Sequence, residues 1–168
     1  MNTPDMKRYE SSEWNFAVDI PKHWNSFPPV SANSPYEVIR FASHEDGRHL
    51  LIIFRSPHDP RQSLREVSDQ TQKVLAGKGF GNFVPGETTI RSRVALTLDF
   101  DKPQVDANSA LLLQGDQYVV RPGRVWSCRE YTIAEGTLRY TLGFGTTNKA
   151  DMCELFARMA KSFEIFAG

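Results

Sequence analysis

The sequence predicts an α+β fold in which an antiparallel β-sheet is flanked by helices, as in an α/β/α sandwich. Two pairs of apolar segments each surround an acidic residue followed by glycine, which is typical of β-hairpins. Apolar residues recur at helical spacing in two other segments. The connections are short, whereas a parallel sheet needs long crossovers. Since 168 residues is an ordinary length for one domain, we expect a single domain spanning residues 1–168.

The first strand is predicted at residues 14–20, where Trp14, Phe16, Val18 and Ile20 alternate with small or polar residues up to Pro21. Residues 23–37 then read as irregular. They carry Trp24, Phe27 and Tyr36 where an ordinary loop is polar. This segment either folds back as a lid over the sheet or presents a binding edge.

The first hairpin is predicted from residues 38–43 and 49–55 around Asp46-Gly47. A two-residue turn there places Phe41 opposite Ile52 and gives one apolar face. The other face is mixed, with His44 opposite His49.

The first helix is predicted to begin after Ser63 and to stop at Gly77. Ser63 and Glu66 have the spacing of a capping box. The apolar stripe of this helix contains Leu64, Val67, Thr71, Val74 and Leu75. Residues 87–100 follow as an extended segment.

A second hairpin is predicted from residues 125–134 and 137–146 around Glu135-Gly136. Its inner face includes Val125, Tyr131 and Ile133, and Trp126 and Cys128 face outward. Arg129 lies on the inner face, where it needs a carboxylate or carbonyl partner.

The chain is predicted to end in a helix over residues 148–165, with Asn148 as its N-cap. The buried stripe of this helix contains Met152, Leu155, Phe156, Met159 and Phe163.

Composition excludes several classes of protein. Twenty basic and twenty acidic residues give no net charge, which disfavours nucleic acid as a partner. No apolar run approaches the length of a membrane-spanning helix. Two cysteines are too few for a disulfide framework. Since residues 1–13 have no apolar segment of signal-peptide type, we expect a cytoplasmic location.

The candidate binding residues fall into two groups of large apolar and cationic side chains. Trp24, Phe27 and Tyr36 belong to the irregular segment, and Trp126, Arg129 and Arg139 belong to the second hairpin. Tryptophan, tyrosine and arginine are frequent anchors of protein interfaces. Alternatively, a helix covers Trp126.

The main alternative is a small-molecule or metal-dependent enzyme with its site near His44, His49 and Arg129. Paired histidines on one face can share a metal ion. Cys128 is a candidate reactive thiol. The glycines Gly143 and Gly145 precede the last helix, as in a phosphate-binding turn, but their better interpretation is structural.

Residues 16–24, Phe-Ala-Val-Asp-Ile-Pro-Lys-His-Trp, resemble the F-x-V-x-x-P-x-x-W opening of the PsbP-like superfamily. This superfamily includes photosystem extrinsic subunits, Ran-binding Mog-type import factors and many bacterial domains. The resemblance extends to the Ser63-Leu64 helix start and the terminal Lys161-Ser162-Phe163. It implies an antiparallel sheet between helices and a non-catalytic binding or assembly module.

We therefore expect a cytoplasmic protein-binding or adaptor module that has no catalytic activity and needs no cofactor. The expected partner is a protein, and a homodimer is a further alternative. This hypothesis expects an exposed apolar patch at the segment from Trp24 to Tyr36 or around Trp126.

Overall fold

Two antiparallel sheets and two α-helices make up the computed structural model, which describes residues 4–43, 49–102, 125–152 and 154–166. The helices are α1 (Leu64–Gly77) and α2 (Leu155–Ser162), and a 3₁₀ helix (Lys149–Met152) precedes α2. The strands are β1 (Met6–Ser11), β2 (Phe16–Pro21), β3 (Asn25–Phe27), β4 (Glu37–Ala42), β5 (Leu50–Pro57), β6 (Gly81–Ile90), β7 (Arg93–Lys102), β8 (Trp126–Glu135), β9 (Leu138–Thr146) and β10 (Glu164–Ile165).

The larger sheet has the strand order β3-β4-β5-β9-β8-β7-β6, and the smaller sheet has the order β1-β2-β10. Helix α1 contacts β6, β7 and β8, whereas α2 contacts β2 and β6. The two helices lie on opposite faces of the larger sheet, so the predicted α+β class with a helix-flanked antiparallel sheet is confirmed. No helix in the described part of the chain has both the length and the apolar character needed to cross a bilayer.

Both faces of the larger sheet are buried. On the α2 side, the main core packs Phe41, Phe144 and Phe156 against the small sheet and α2. On the α1 side, a second apolar cluster contains Ala42, Leu50, Ile52, Leu98, Phe100, Trp126 and Cys128. Trp126 and Cys128 therefore point away from the main core, as predicted, but they are covered rather than exposed to solvent.

The predicted register of the first hairpin is wrong by one residue. Phe41 lies opposite Leu51, and Ser43 N–H donates to the carbonyl of His49 at 3.1 Å. Five residues, 44–48, separate this pair, whereas a two-residue turn at Asp46-Gly47 needs an even number. Both turn residues and His44 lie outside the described residues.

The turn of the second hairpin lies one position later than predicted. Glu135 pairs with Leu138, so Gly136 and Thr137 form the turn, and Gly136 has the positive φ of +61° that a tight hairpin requires. Arg129 is consequently opposite Phe144. Because each residue's partner on the other strand shifts by two positions, the paired residues of β8 and β9 keep their predicted faces. Val125 precedes β8 and is exposed, so its assignment to the inner face is wrong.

The segment predicted as one extended stretch, residues 87–100, contains a hairpin turn. Arg91 and Ser92 connect β6 to β7 with φ of +47° and +70°. Positive φ at both central residues is the type I′ pattern. Arginine and serine are not typical residues of this turn, so the sequence carries no signal for it.

The final helix is shorter than predicted. Asn148 does not cap it, because the N-cap of α2 is Glu154 and the 3₁₀ helix lies between the two residues. Helix α2 begins at Leu155 and gives way to β10 after Ser162. The predicted apolar stripe is nevertheless buried at Met152, Phe156, Met159 and Phe163.

The start of α1 is as predicted, since Oγ of Ser63 accepts a hydrogen bond from Glu66 N–H at 3.1 Å. The predicted apolar stripe of α1, in contrast, is only partly buried. Val67 and Ser68 are the only buried residues of the helix, and Val74 is 58% exposed. Helix α1 therefore lies over the sheet without closing tightly on it.

Candidate functional site

A cavity of about 490 Å³ lies between α1 and the sheet, and we call it the α1 cavity. Its floor is the face of β5, β8 and β9 that points away from the main core, and α1 and residues 33–36 form its sides. Its main lining residues are Asn33, Ser34, Tyr36, Leu50, Ile52, Phe54, Ser56, Val67, Thr71, Val74, Leu75, Lys78, Phe80, Phe100, Trp126, Cys128, Glu130, Thr132, Arg139, Thr141, Gly143 and Gly145. This volume is within the range of small-molecule sites, roughly 300–1,000 Å³.

One end of the α1 cavity is polar. Arg139 on β9 is opposite Ser56 on β5, and both side chains line this end together with Tyr36. Nη1 of Arg139 lies 3.5 Å from Nδ1 of the buried His58. Desolvation lowers the pKa of Arg139, and the nearby Tyr36 raises it by a smaller amount.

A buried ion pair shapes the loop at this polar end. The carboxylate of Glu37 accepts hydrogen bonds from Arg40 at 2.5 and 3.0 Å, from Val30 N–H at 3.0 Å and from Nδ2 of Asn33 at 2.6 Å. A β-bulge between Glu37 and Ile39 places Glu37 and Arg40 on the same face, although they are three residues apart. This network fixes the segment that carries Asn33, Ser34 and Tyr36.

Glu130 occupies the middle of the floor. On β8 it lies between Leu98 of β7 and Gly143 of β9. Desolvation raises its pKa from 4.5 to about 7, and the nearby Lys78 opposes this shift. Glu130 is therefore a titratable group inside the cavity near neutral pH.

The apolar end of the α1 cavity is built around Trp126. Its indole lies directly over Gly145, where an added Cβ would be only 2.3 Å from the ring. Phe80 and Phe100, in edge-to-face contact at 5.3 Å, complete this end. Burial raises the pKa of the Cys128 thiol well above its usual range, so Cys128 is a protonated wall residue rather than a reactive thiolate.

Glycines Gly143 and Gly145 serve the cavity and not a phosphate. Both face it from β9, and a Cβ at Gly143 would meet Phe54 at 3.2 Å. The helical segment after them is a four-residue 3₁₀ helix, which offers little of the dipole that a phosphate-binding turn uses. The absence of side chains at these positions makes room for Phe54 and Trp126.

Three of the six sequence-predicted binding residues line the α1 cavity. Tyr36 and Arg139 are at its polar end, and Trp126 is at its apolar end. Phe27 is partly buried and packs against the apolar cluster on the α1 side. Trp24 is 1% exposed, and its ring is stacked on His49 with centroids 5.6 Å apart, so it is a core residue with no surface to offer.

Arg129 has the carboxylate partner that its inward position requires. It donates to both carboxylate oxygens of Asp99, opposite it on β7, at 2.6 and 2.8 Å. It also donates to the carbonyl of Met152 at 3.1 Å and so ties the sheet to the 3₁₀ helix. The ion pair with Asp99 raises the pKa of Arg129 further. This arrangement is structural, on the face opposite the α1 cavity.

The two described members of the alternative enzymatic site, His49 and Arg129, lie outside the α1 cavity. His49 is buried between Trp24 and Phe156, and neither His49 nor Arg129 lines the α1 cavity. His44, the third member, lies outside the described residues, as does Cys153. Across the ranges that the structure describes, no three His, Cys, Asp or Glu side chains are grouped closely enough to hold a metal ion.

The residues that the sequence analysis missed are Glu37, Arg40, Glu130 and the α1 side of the cavity. Glu130 alternates with inward-facing residues on its strand, and this pattern predicts an ordinary solvent-facing carboxylate. Glu37 and Arg40 share a face only because of the bulge, which has no sequence signature here. The apolar stripe of α1 was the usable signal, since it required an apolar surface to cover.

Comparison with solved structures places this arrangement among known folds. Cyanobacterial PsbP (CyanoP) from Synechocystis sp. PCC 6803 superimposes with a TM-score of 0.65, covering 98% of this chain and 95% of that chain at 14% sequence identity. The chain has the PsbP-like fold. The resemblance of residues 16–24 to the opening of this superfamily is confirmed at the level of the fold.

Two further structures with the PsbP-like fold cover nearly the whole chain. The Ran-binding protein Mog1p of Saccharomyces cerevisiae has a TM-score of 0.60 and 9% identity over 97% of this chain and 96% of that chain. LpqN of Mycobacterium tuberculosis, involved in cell envelope biogenesis, has a TM-score of 0.58 and 10% identity over 96% and 92%. No family model and no curated protein matches the sequence. At these identities the likeness concerns the fold alone.

Proposed function

We propose that this protein is a non-catalytic binding module that holds its ligand in the α1 cavity. The observation that carries this proposal is the cavity itself, which has the volume of a small-molecule site beneath a helix with few buried residues. Its walls are mainly apolar, and its polar side chains lie at the Arg139 end and around Glu130 in the middle of the floor. The site used for binding thus lies on the α1 face of the sheet, away from the main core.

The chemistry of the lining supports binding rather than catalysis. The thiol in the cavity is held protonated by burial, and no histidine is among the described lining residues. A nucleophile needs a base within hydrogen-bond reach, and a general base or acid needs a substrate group to act on. Among the described residues, Glu130 is the one lining group with a pKa near neutrality, and burial keeps it largely protonated below pH 7.

The proposed function is tested with a neutral apolar dye, N-phenyl-1-naphthylamine, whose fluorescence rises in an apolar site. We expect saturable binding at one site per chain. Thr141→Trp, which places an indole on the cavity floor, should weaken dye binding at least about tenfold, since it removes the volume that the dye occupies. Thr89→Trp makes the same exchange on an exposed part of β6 and should leave binding unchanged. Absence of saturable binding to the unmodified protein contradicts the proposal.

A protein partner is the second candidate, and the rim of the α1 cavity favours it. Tyr36 and Val74 are 49% and 58% exposed, and both line the opening. Large exposed apolar side chains beside a groove are typical of adaptor surfaces. A photocrosslinking amino acid at position 36 or 74 should then capture a defined protein in the native cell, and one at the exposed Val94 should not. A homodimer and a cytoplasmic location stay predictions.

A further inference from the structure

The α1 cavity is amphipathic along its length. At one end are the hydroxyls of Tyr36 and Ser56 beside the guanidinium of Arg139. Glu130 is opposite Gly143, four residues along β9 from Arg139, which corresponds to about 13 Å of strand. Beyond it lie Phe100 and Trp126. A ligand that fills the cavity therefore needs a polar head at the Arg139 end and an apolar body at the Trp126 end, with Glu130 between them.

Arg139 has no ion-pair partner among the residues that the structure describes. It is partly buried, and among the described residues no carboxylate lies within ion-pair distance of it. Its neighbours at this end are the imidazole of His58, at 3.5 Å, and the phenol of Tyr36. By contrast, the partly buried Arg129 and the fully buried Arg40 each have a carboxylate partner. A partly desolvated arginine that faces a cavity without an anion is a site for an anionic group.

We propose that the α1 cavity binds a small amphipathic acid, with the carboxylate at Arg139 and the apolar chain directed towards Trp126. This inference rests on the proposed function and adds the class of ligand to it. The indole of Trp126 and the rings of Phe80 and Phe100 provide an apolar end wall.

The balance of charge favours a single negative charge on the ligand. One guanidinium fork, assisted by neutral hydroxyl donors, matches one carboxylate. A phosphate carries more charge and needs further cations, and Lys78 lies near Glu130 rather than at the Arg139 end. An apolar chain without a head group leaves Arg139 desolvated and unpaired.

The test compares two probes of equal chain length, dodecanoate and dodecanol, by titration calorimetry on the intact chain below their aggregation concentrations. Arg139→Gln should weaken dodecanoate binding at least about tenfold, the effect of losing a charged hydrogen-bonded pair, and change dodecanol binding by less than about threefold. Arg139→Lys should retain part of the affinity for dodecanoate. Arg61→Gln removes the same charge from a side chain that is 91% exposed and should change neither affinity.

The outcomes separate this inference from the proposed function. If dodecanol and the neutral dye bind but Arg139→Gln affects both probes equally, the carboxylate assignment is overturned and the binding cavity remains. If neither probe binds, both proposals fail. Should Arg139→Gln not fold, Arg139→Lys and the cationic probe dodecyltrimethylammonium decide the matter on folded protein. Binding of the cation as tight as that of dodecanoate overturns the inference.

Discussion

Among single residues, Glu130 has the clearest consequence for behaviour in solution. Its carboxyl keeps its proton up to about pH 7 in the folded chain, because desolvation disfavours the carboxylate, whereas the ordinary value is 4.5. Unfolding between these two values releases a proton. The free energy of unfolding therefore decreases as the pH rises through this window, and the stabilising effect of the neutral carboxyl is fully present only below it.

Replacing Glu130 with glutamine should remove this dependence of the free energy of unfolding on pH. Between pH 5 and pH 8 the wild-type protein should lose about 1–3 kcal/mol of stability relative to Glu130→Gln, measured as the difference between their urea-unfolding free energies. Glu87→Gln, on the exposed side of β6, is the matched control and should run parallel to the wild type. A constant difference between wild type and Glu130→Gln across this range contradicts the assignment of a raised pKa.

Residue-level prediction from the sequence works where a side chain has one reasonable environment. Arg129 is predicted to lie inward and to need a partner, and Asp99 supplies it. The sequence does not predict the environment of Glu130, because the environment of an outward-facing strand residue depends on what covers that face. The sequence does not settle the place of Trp24 either, because an aromatic residue after a strand can be a surface anchor or fill the core. Trp24 fills the core.

Among the structural elements, strand β9 combines two roles that the sequence could not separate. Its inner side chains Tyr140, Leu142 and Phe144 enter the main core, whereas Gly143 and Gly145 on the opposite face lie under Phe54 and Trp126. Aromatic rings occupy the space that side chains at these two positions would need. Their pattern resembles a nucleotide-binding turn only when the neighbouring strands are ignored.

The close approach of Trp126 to Gly145 predicts the effect of adding a single methyl group at position 145. Gly145→Ala places a carbon 2.3 Å from the Trp126 ring, so the indole must move, and we expect a loss of about 1–3 kcal/mol of stability. The near-ultraviolet circular dichroism of the tryptophans should change with it. Gly81→Ala, where a Cβ meets nothing within 4 Å, is the matched control and should leave the spectrum unaltered. An unchanged spectrum for Gly145→Ala refutes the close approach.

Three hairpin turns show which features of an element the sequence predicts. The turn at Gly136 is placed within one residue, because glycine there meets a real need for positive φ. The first hairpin is shifted because turn chemistry at Asp46-Gly47 implied an even loop, and the register observed between Ser43 and His49 has an odd one. The sequence does not predict the β6–β7 turn at Arg91 and Ser92, because strand pairing imposes positive φ on residues that do not favour it.

In the molecule as a whole, the two faces of the larger sheet are packed to different degrees. The α2 face holds the main core, including five phenylalanines, Phe16, Phe41, Phe144, Phe156 and Phe163. The α1 face holds a smaller apolar cluster and the α1 cavity. The order of elements and the class of fold follow from apolar periodicity along the chain. The cavity does not, because it depends on how closely α1 approaches the sheet.

This difference predicts an uneven distribution of local stability. Helix α1 is longer than α2, with fourteen residues against eight, yet it buries only Val67 and Ser68, whereas α2 buries Phe156, Met159 and Ala160. Length alone favours slower amide exchange in α1, and burial favours it in α2. Since tertiary packing supplies most of the stability of short helices, we expect burial to decide.

Amide hydrogen exchange under native conditions measures this directly. Amides in the middle of α1 should exchange at least about tenfold faster than those in the middle of α2 and in β9, which pairs with a strand on each side. Saturation with a ligand of the α1 cavity should slow exchange in α1 and leave α2 unchanged, because only the first helix touches the ligand. Equal protection of the two helices in the free protein, or a ligand effect confined to α2, is incompatible with a binding site beneath α1.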